Sequence, residues 1–250
     1  MRLHRNLVFA VIDGLGEIFN ENAYADKVVQ SLLKRDKRWG ARDRGFIAET
    51  VYDIVRWKRL YAEIAEVKEP FSRENLWRIF AVWATLRGIK LPDWKQIEPT
   101  PTRRIKGKFD ELSKIRKFRE SIPDWLDELG SQELPKIWDK EIHALNQQAP
   151  VILRTNTLKT DKKTLTDRLE EEDIEVHSVK GYPLALQLEE RANVFSTQAF
   201  KDGLFEVQDA SSQLVAEFLD VKPGQKVVDT CAGAGGKSLH MAALMENKGQ

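Results

Sequence analysis

The stretch Lys226–His240, KVVDTCAGAGGKSLH, decides how the C-terminal part of the chain is read. A valine pair closes on Asp229, three glycines follow at 233, 235 and 236, and helix-favouring residues resume from Lys237 to Met245. A strand over Lys226–Asp229, a glycine loop and a helix form the opening of an α/β sheet that holds a ligand at the strand's C-terminal end. Two phosphate-binding patterns each fail by one residue. Gly236-Lys237-Ser238 matches the end of a P-loop, but Cys231 stands at its first glycine. The dinucleotide pattern starts at Gly233 and Gly235 and meets Ser238 at its third glycine. Spacing alone leaves three readings open: a loop led by an acid at the strand end, a nucleotide-phosphate loop, and an ordinary strand–turn–helix.

The acid-first spacing, Asp229-x-x-x-Gly233-x-Gly235, resembles motif I of the class I S-adenosylmethionine methyltransferases. Glycines there let the backbone approach the cofactor, and the helix N-terminus offers N–H groups to its carboxylate. The longer stretch Gly203–Ser238, GLFEVQDASSQLVAEFLDVKPGQKVVDTCAGAGGKS, is similar to the signature of the Sun/Fmu-type (NOL/NOP/Sun) RNA 5-methylcytosine methyltransferases: G-x-F-x-x-Q-D-x-x-S, then P-G-x-x-V-x-D-x-C-A, then G-G-K-[ST]. The resemblance extends to LRTN at Leu153–Asn156 and IPDWL at Ile122–Leu126, and the helical N-terminal part looks like the NusB-like RNA-binding domain of bacterial ribosomal RNA members. It implies that Cys231, Ala232, Gly233, Ala234, Gly235, Gly236 and Lys237 line an S-adenosylmethionine site. One departure is visible: the family commonly has Ala-Pro where this chain has Gly233-Ala234, which makes the loop more flexible.

The implied chemistry demands a thiolate, because carbon 5 of cytosine becomes nucleophilic only after a cysteine adds at carbon 6. The family carries two cysteines on later strands. Cys231 is the only cysteine here and matches the one inside motif I, so it is expected beside the cofactor, and no catalytic residue is assigned to this chain. From Gln208 onward 43 residues remain, enough for a linking helix and one β-α unit. The chain is therefore expected to stop inside its catalytic domain and to be inactive alone. A non-catalytic RNA-binding module is the alternative, and a P-loop-like ATPase is disfavoured by Cys231.

Upstream, the hydrophobic period divides the chain. From Leu7 to Leu86 apolar residues recur at three- and four-residue steps (Val8, Val11, Leu15; Ile47, Val51, Ile54; Leu76, Ile79, Trp83), with breaks at Gly40, Glu69-Pro70 and Gly88. A Pro/Thr-rich loop (LPDWKQIEPTPT) and two short helices, each with a proline in its first turn (Pro123, Pro135), follow. After Pro150 the period shortens: VILRTN, IEVHSV, PLALQLE and GLFEVQ read as strands, and a helix starts after Asp161. A further helix, Ser211–Asp220, is read with Leu214, Val215, Phe218 and Leu219 inward and Asp209 as its N-cap. The fold expected is multidomain: an all-α NusB-like bundle with linker helices over 1–145, a small α+β RNA-recognition-like domain over 150–207, and the first β-α unit of a Rossmann-like α/β methyltransferase domain over 208–250.

The 250 residues carry a net charge of +1 and 42% hydrophobic residues, as in an ordinary globular chain. No apolar run approaches the ~20 residues that cross a bilayer. A lone cysteine excludes an intrachain disulfide and a CxxC zinc site, and His4, His143, His177 and His240 have no ligand spacing, so a monomeric cytoplasmic protein without metal is expected. Charge is locally segregated: Arg103–Arg119 holds eight Lys/Arg against two acids, and Lys34–Arg44 with Arg56, Lys58 and Arg59 forms a second cluster. RNA, ribosomal RNA by the resemblance, is the expected partner. Arg103, Arg104, Lys106 and Lys108 would meet its phosphates, joined by Arg154 and Asn156 of the R-x-N strand. Trp77 and Trp83 lie on helical stripes and read as core. The target base must be single-stranded or flipped out to expose carbon 6.

Overall fold

The computed structural model describes residues 3–97 and 100–250. Met1 and Arg2, and Glu98-Pro99 of the Pro/Thr-rich loop, lie outside the described residues. The chain divides into two compact units, Met1–Gln147 and Gln148–Gln250, so the small α+β segment and the glycine-loop segment share one unit.

The first unit is helical: α1 (Arg5–Asn20), α2 (Ala25–Leu32), α3 (Ala41–Arg56), α4 (Lys58–Ala65), α5 (Arg73–Leu86), α6 (Thr102–Leu112), α7 (Arg116–Arg119), α8 (Asp124–Glu133) and α9 (Trp138–Asn146). The expected breaks lie where the backbone changes course: Gly40 caps α3, Pro70 falls between α4 and α5, and Gly88 follows α5 with φ +68°. The apolar stripes bury Val8, Val11, Ile12, Leu15, Ile47, Val51, Ile54 and Ile79 in one core. Trp77 and Trp83 belong to that core, and the Trp83 indole finds its partner in Asp53 Oδ2 at 2.7 Å. Pro123 precedes α8, but Pro135 sits in the turn before α9, which begins at Trp138.

The second unit runs β1 (Ile152–Thr155), α10 (Lys162–Glu170), β2 (Val176–Ser178), β3 (Ala185–Leu188), α11 (Gln198–Lys201), β4 (Phe205–Val207), α12 (Ala210–Phe218) and α13 (Gly236–Leu244). All strand pairs are antiparallel in the order β2-β3-β1-β4, the split β-α-β or ferredoxin-like arrangement. Asp161 caps α10 by accepting from Thr164 N at 2.9 Å. One sheet face, with Leu153, Leu186, Leu188 and Phe205, packs on Leu165, Leu169, Ile174 and Ala199. On the other, Ile152 and Ala185 meet Ala210 of α12. Both faces are thus covered near β1.

Two expectations need correction. Lys226–Asp229 is extended but forms no ladder strand, and Val228 is 85% exposed. A strand exists only through partners. Among the described residues the segment that runs beside it is 248–250, where Gln250 donates to Gln225 O at 3.0 Å and accepts from Val227 N at 2.7 Å. These bonds straddle Lys226, the pattern of a parallel ladder at its start. Secondly, α12 buries Ala210, Gln213 and Ala216, whereas Leu214, Val215, Phe218 and Leu219 are exposed, Phe218 at 90%. Its alanine face lies against α13 and β1, and the bulky stripe points away from them.

Candidate functional site

The glycine loop is shaped by Asp229. One carboxylate oxygen accepts from Cys231 N at 3.2 Å and the other from Ser238 Oγ at 2.7 Å, tying the entry of the loop to the first turn of α13. Gly233 (φ +57°) and Gly235 (φ +83°) are left-handed, and a Cβ would strain both whatever the space around it. Gly235 is the N-cap of α13, its N–H bonded to Ala232 O at 2.9 Å and its carbonyl accepting from Leu239 N at 2.8 Å. Cys231, Ala232, Gly233, Ala234 and Lys237 are exposed, and Gly235 and Gly236 are half-buried. The seven expected positions therefore run through one open loop, Cys231–Gly235, into the first two residues of α13, Gly236 and Lys237, whose first-turn amides have no acceptor within the helix. No Cβ-sized obstacle lies within 4 Å of Gly235, so a ligand backbone has room to approach. These features fit an anionic amino-acid moiety such as that of S-adenosylmethionine.

Beneath the loop lies a polar cluster that the sequence did not announce. Arg154 of β1 is 1% exposed and its Nε donates to Gln208 Oε1 at 2.7 Å, while its Nη1 is buried without a partner. Gln208 O in turn accepts from Gln213 Nε2 at 3.1 Å. His240 of α13 is fully buried with neither ring nitrogen bonded. Burial, with the Arg154 charge adding to it, lowers the imidazole to about 4, so it is neutral at physiological pH. Burial also lowers the Arg154 guanidinium, and Glu206 opposite it on β4 pulls the other way. The cluster joins β1, the end of β4, α12 and α13. Arg154 is thereby removed from any phosphate-binding surface: the alternation of β1 points it to the face that α12 covers. Asn156 is also occupied, donating to Gly203 O at 2.8 Å and accepting from Leu158 N at 3.2 Å at the strand end. The signal for this inward arginine lay in the sequence as Gln208 and Gln213, polar residues on elements that close over β1.

The basic segment is largely neutralised. Arg104 and Lys108 both pair with Glu66, Arg116 with Asp127 at 2.6 Å, Lys117 with Asp124 at 3.0 Å, and Arg119 with Glu120 at 2.9 Å and Asp139 at 2.5 Å. Arg103, Lys106 and Lys114 have no acidic partner among the described residues. Among those residues, too, no helix is long and apolar enough to cross a membrane.

A family model described as "Methyltr_RsmF/B-like, ferredoxin-like domain" matches residues 122–195. The probable ribosomal RNA small subunit methyltransferase B of Synechocystis is 36% identical over 132 residues, covering 52% of this chain and 30% of that protein. Its probable counterpart in Bacillus subtilis is 27% identical over 278 residues, covering 95% of this chain and 60% of that protein. The chain thus spans less than two thirds of the length of either relative. A crystal structure of PH0851 shares the fold over 100% of this chain and 63% of its own, with a TM-score of 0.69 and 23% identity.

Proposed function

We propose that this chain, similar over residues 122–195 to the RsmF/B-like ferredoxin-like family model and elsewhere to ribosomal RNA small subunit methyltransferase B proteins, carries the RNA-recognition and cofactor-loop parts of an S-adenosylmethionine-dependent RNA cytosine-5 methyltransferase of the Sun/Fmu type, acting on ribosomal RNA in the cytoplasm. The observation that carries this reading is the loop: an acid that bonds both of its ends, two left-handed glycines and a free helix N-terminus. S-adenosylmethionine, when bound, supplies an electrophilic methyl group. Residues Cys231–Lys237 would hold it, the glycines by letting the backbone come close and the first turn of α13 by its amides and dipole. Asp229 acts on the loop, with both oxygens already engaged in shaping it.

RNA affinity would come from the cationic groups that lack an acidic partner among the described residues, Arg103 and Lys106 among them. Arg104 and Lys108 are tied to Glu66 and are placed in the scaffold, as are Arg154 and Asn156. We assign no catalytic residue. Cys231 lies in the cofactor loop itself, with its backbone N–H fixed by Asp229.

Given RNA and S-adenosylmethionine labelled in the methyl group, the chain is expected to bind both and to leave the RNA unmethylated. Sustained incorporation that vanishes in Cys231→Ser would make Cys231 the nucleophile and overturn that assignment. Failure to bind either ligand would remove the reading altogether.

A further inference from the structure

The second basic cluster leads into a groove that the glycine-loop chemistry does not use. Its floor and one wall are one face of α3: Arg42, Glu49, Tyr52 and Arg56, which are exposed, with the half-buried Gly45 and Phe46 between them, a face whose residues recur at three- and four-residue steps. The other wall is the end of α5, where Trp83 packs edge-on against Phe46 at 6.2 Å and Arg87 is held by Asp53 at 2.6 Å. At 1.5 Å per residue the stripe from Arg42 to Arg56 is about 21 Å long. Tyr52 is 46% exposed, and at Gly45 a Cβ would meet nothing within 4 Å, so the groove is open in its middle.

Charge decides the occupant. Arg42 and Arg56 have no acidic partner among the described residues, although Arg56 donates weakly to Asn146 O at 3.3 Å. The loop before α3 adds Lys34 and Lys37, both exposed and likewise unpaired among the described residues, whereas Arg35 is held by Asp13 and Glu17 and Arg38 by Asp36. Arg44 stitches that loop to α3 through Trp39 O at 3.0 Å and Leu33 O, which holds the loop against the N-terminal end of α3, the end where Arg42 stands. Cations at both ends with aromatic surface between them suit a strand whose backbone is anionic and whose bases are unstacked. A rigid duplex would find its phosphates opposed by Glu49 in the centre.

We propose that the α3–α5 groove binds a single-stranded segment of RNA, with Arg42, Arg56, Lys34 and Lys37 on phosphates and Tyr52 as a base-stacking platform. This rests on the proposed function, which makes RNA the substrate, and it locates one contact surface for that substrate on the helical unit.

The test is fluorescence anisotropy of a labelled single-stranded oligoribonucleotide of mixed sequence with the full 250-residue chain, titrated against salt. Arg42→Gln with Arg56→Gln should lower the magnitude of the slope of log affinity against log salt by about 1.4, two phosphate contacts on a single strand. Tyr52→Ala should weaken binding roughly 5- to 150-fold, the loss of one stacked base. Gly45→Gln keeps a sound helix and the same charge while filling the groove, so it should weaken binding with the circular dichroism spectrum and the melting temperature preserved. Tight binding of the parent with all three variants equal to it would overturn the groove and leave the function standing. No binding by the parent would overturn both. Retention of a poly-glutamate probe in the groove in preference to the oligoribonucleotide would overturn RNA as its occupant.

Discussion

In the helical unit the buried carboxylate of Glu120 meets Arg119 at 2.9 Å, Asn146 at 2.9 Å and His143 at 3.2 Å, whereas in the sheet-bearing unit the buried guanidinium of Arg154 has Gln208 and the buried imidazole of His240 has no partner among the described residues. Burial acts to raise the Glu120 carboxyl, but the bonds from Asn146, Arg119 and His143 outweigh it and hold it below its ordinary range. Nothing comparable offsets the burial of His240. Unpartnered buried polar atoms exist in both units, but in the first they belong to neutral groups, Trp39, Thr85 and Gln96, and in the second to ionisable ones. A fold that encloses a charge with enough partners becomes insensitive to mild acid. One that keeps a base neutral by burial alone does not.

The difference predicts a graded set of responses. The largest belongs to the dry core: Phe80, fully buried between Trp77 and Trp83, should cost the helical unit about 3–5 kcal/mol as Phe80→Ala, read from its chemical denaturation midpoint, while the sheet-bearing unit keeps its own transition.

Next comes acid. The His240 imidazole is lowered to about 4 in the folded state, so the unfolded chain takes up the proton first. Its contribution is full above the ordinary histidine value of about 6.5 and is lost as pH falls from there toward 4, by up to about 3 kcal/mol. Glu120 has the opposite profile in range: its folded value is depressed below the ordinary carboxylate value, so its contribution persists through that window and fades only at lower pH. Denaturation at stepped pH should therefore show the sheet-bearing unit weakening first, and His240→Phe should flatten its pH dependence. Equal slopes for the two units would break the contrast.

A smaller effect tests the single bond to Arg154. Gln208→Leu leaves the buried guanidinium without its acceptor and should destabilise that unit by about 1.5–3 kcal/mol, whereas Arg154→Met with Gln208 retained should cost less, because it also removes a buried charge. The smallest is at the surface: Phe218→Ser should change stability by no more than about 0.5 kcal/mol, since the ring is 90% exposed.

The helical unit was the more legible in sequence because its signal is local. Stripes such as Val8, Val11, Leu15 and breaks such as Gly88 report on the residues a few positions away that they will meet. The four strands of the second unit were legible for the same reason. The direction of Arg154, the outward face of α12 and the unladdered Lys226–Asp229 were not, because each depends on what a distant segment covers. Leu214 and Phe218 read as core by hydrophobicity, yet it is the alanines of α12 that meet α13 and β1. The basic run Arg103–Arg119 read as a phosphate-contacting surface, and apart from the adjacent Glu120 its acids came from Glu66 at the end of α4 and from α8 and α9, out of view of the run itself. The glycine loop was visible because positive φ selects glycine directly.

Hydrogen exchange of the backbone amides over Cys231–Lys237, with S-adenosylmethionine and separately with ATP, tests the central claim most directly. Protection by S-adenosylmethionine that is absent with ATP, and lost in Gly235→Val, is the result predicted for a methyl-donor loop. Protection by ATP alone, or by neither ligand, would contradict it.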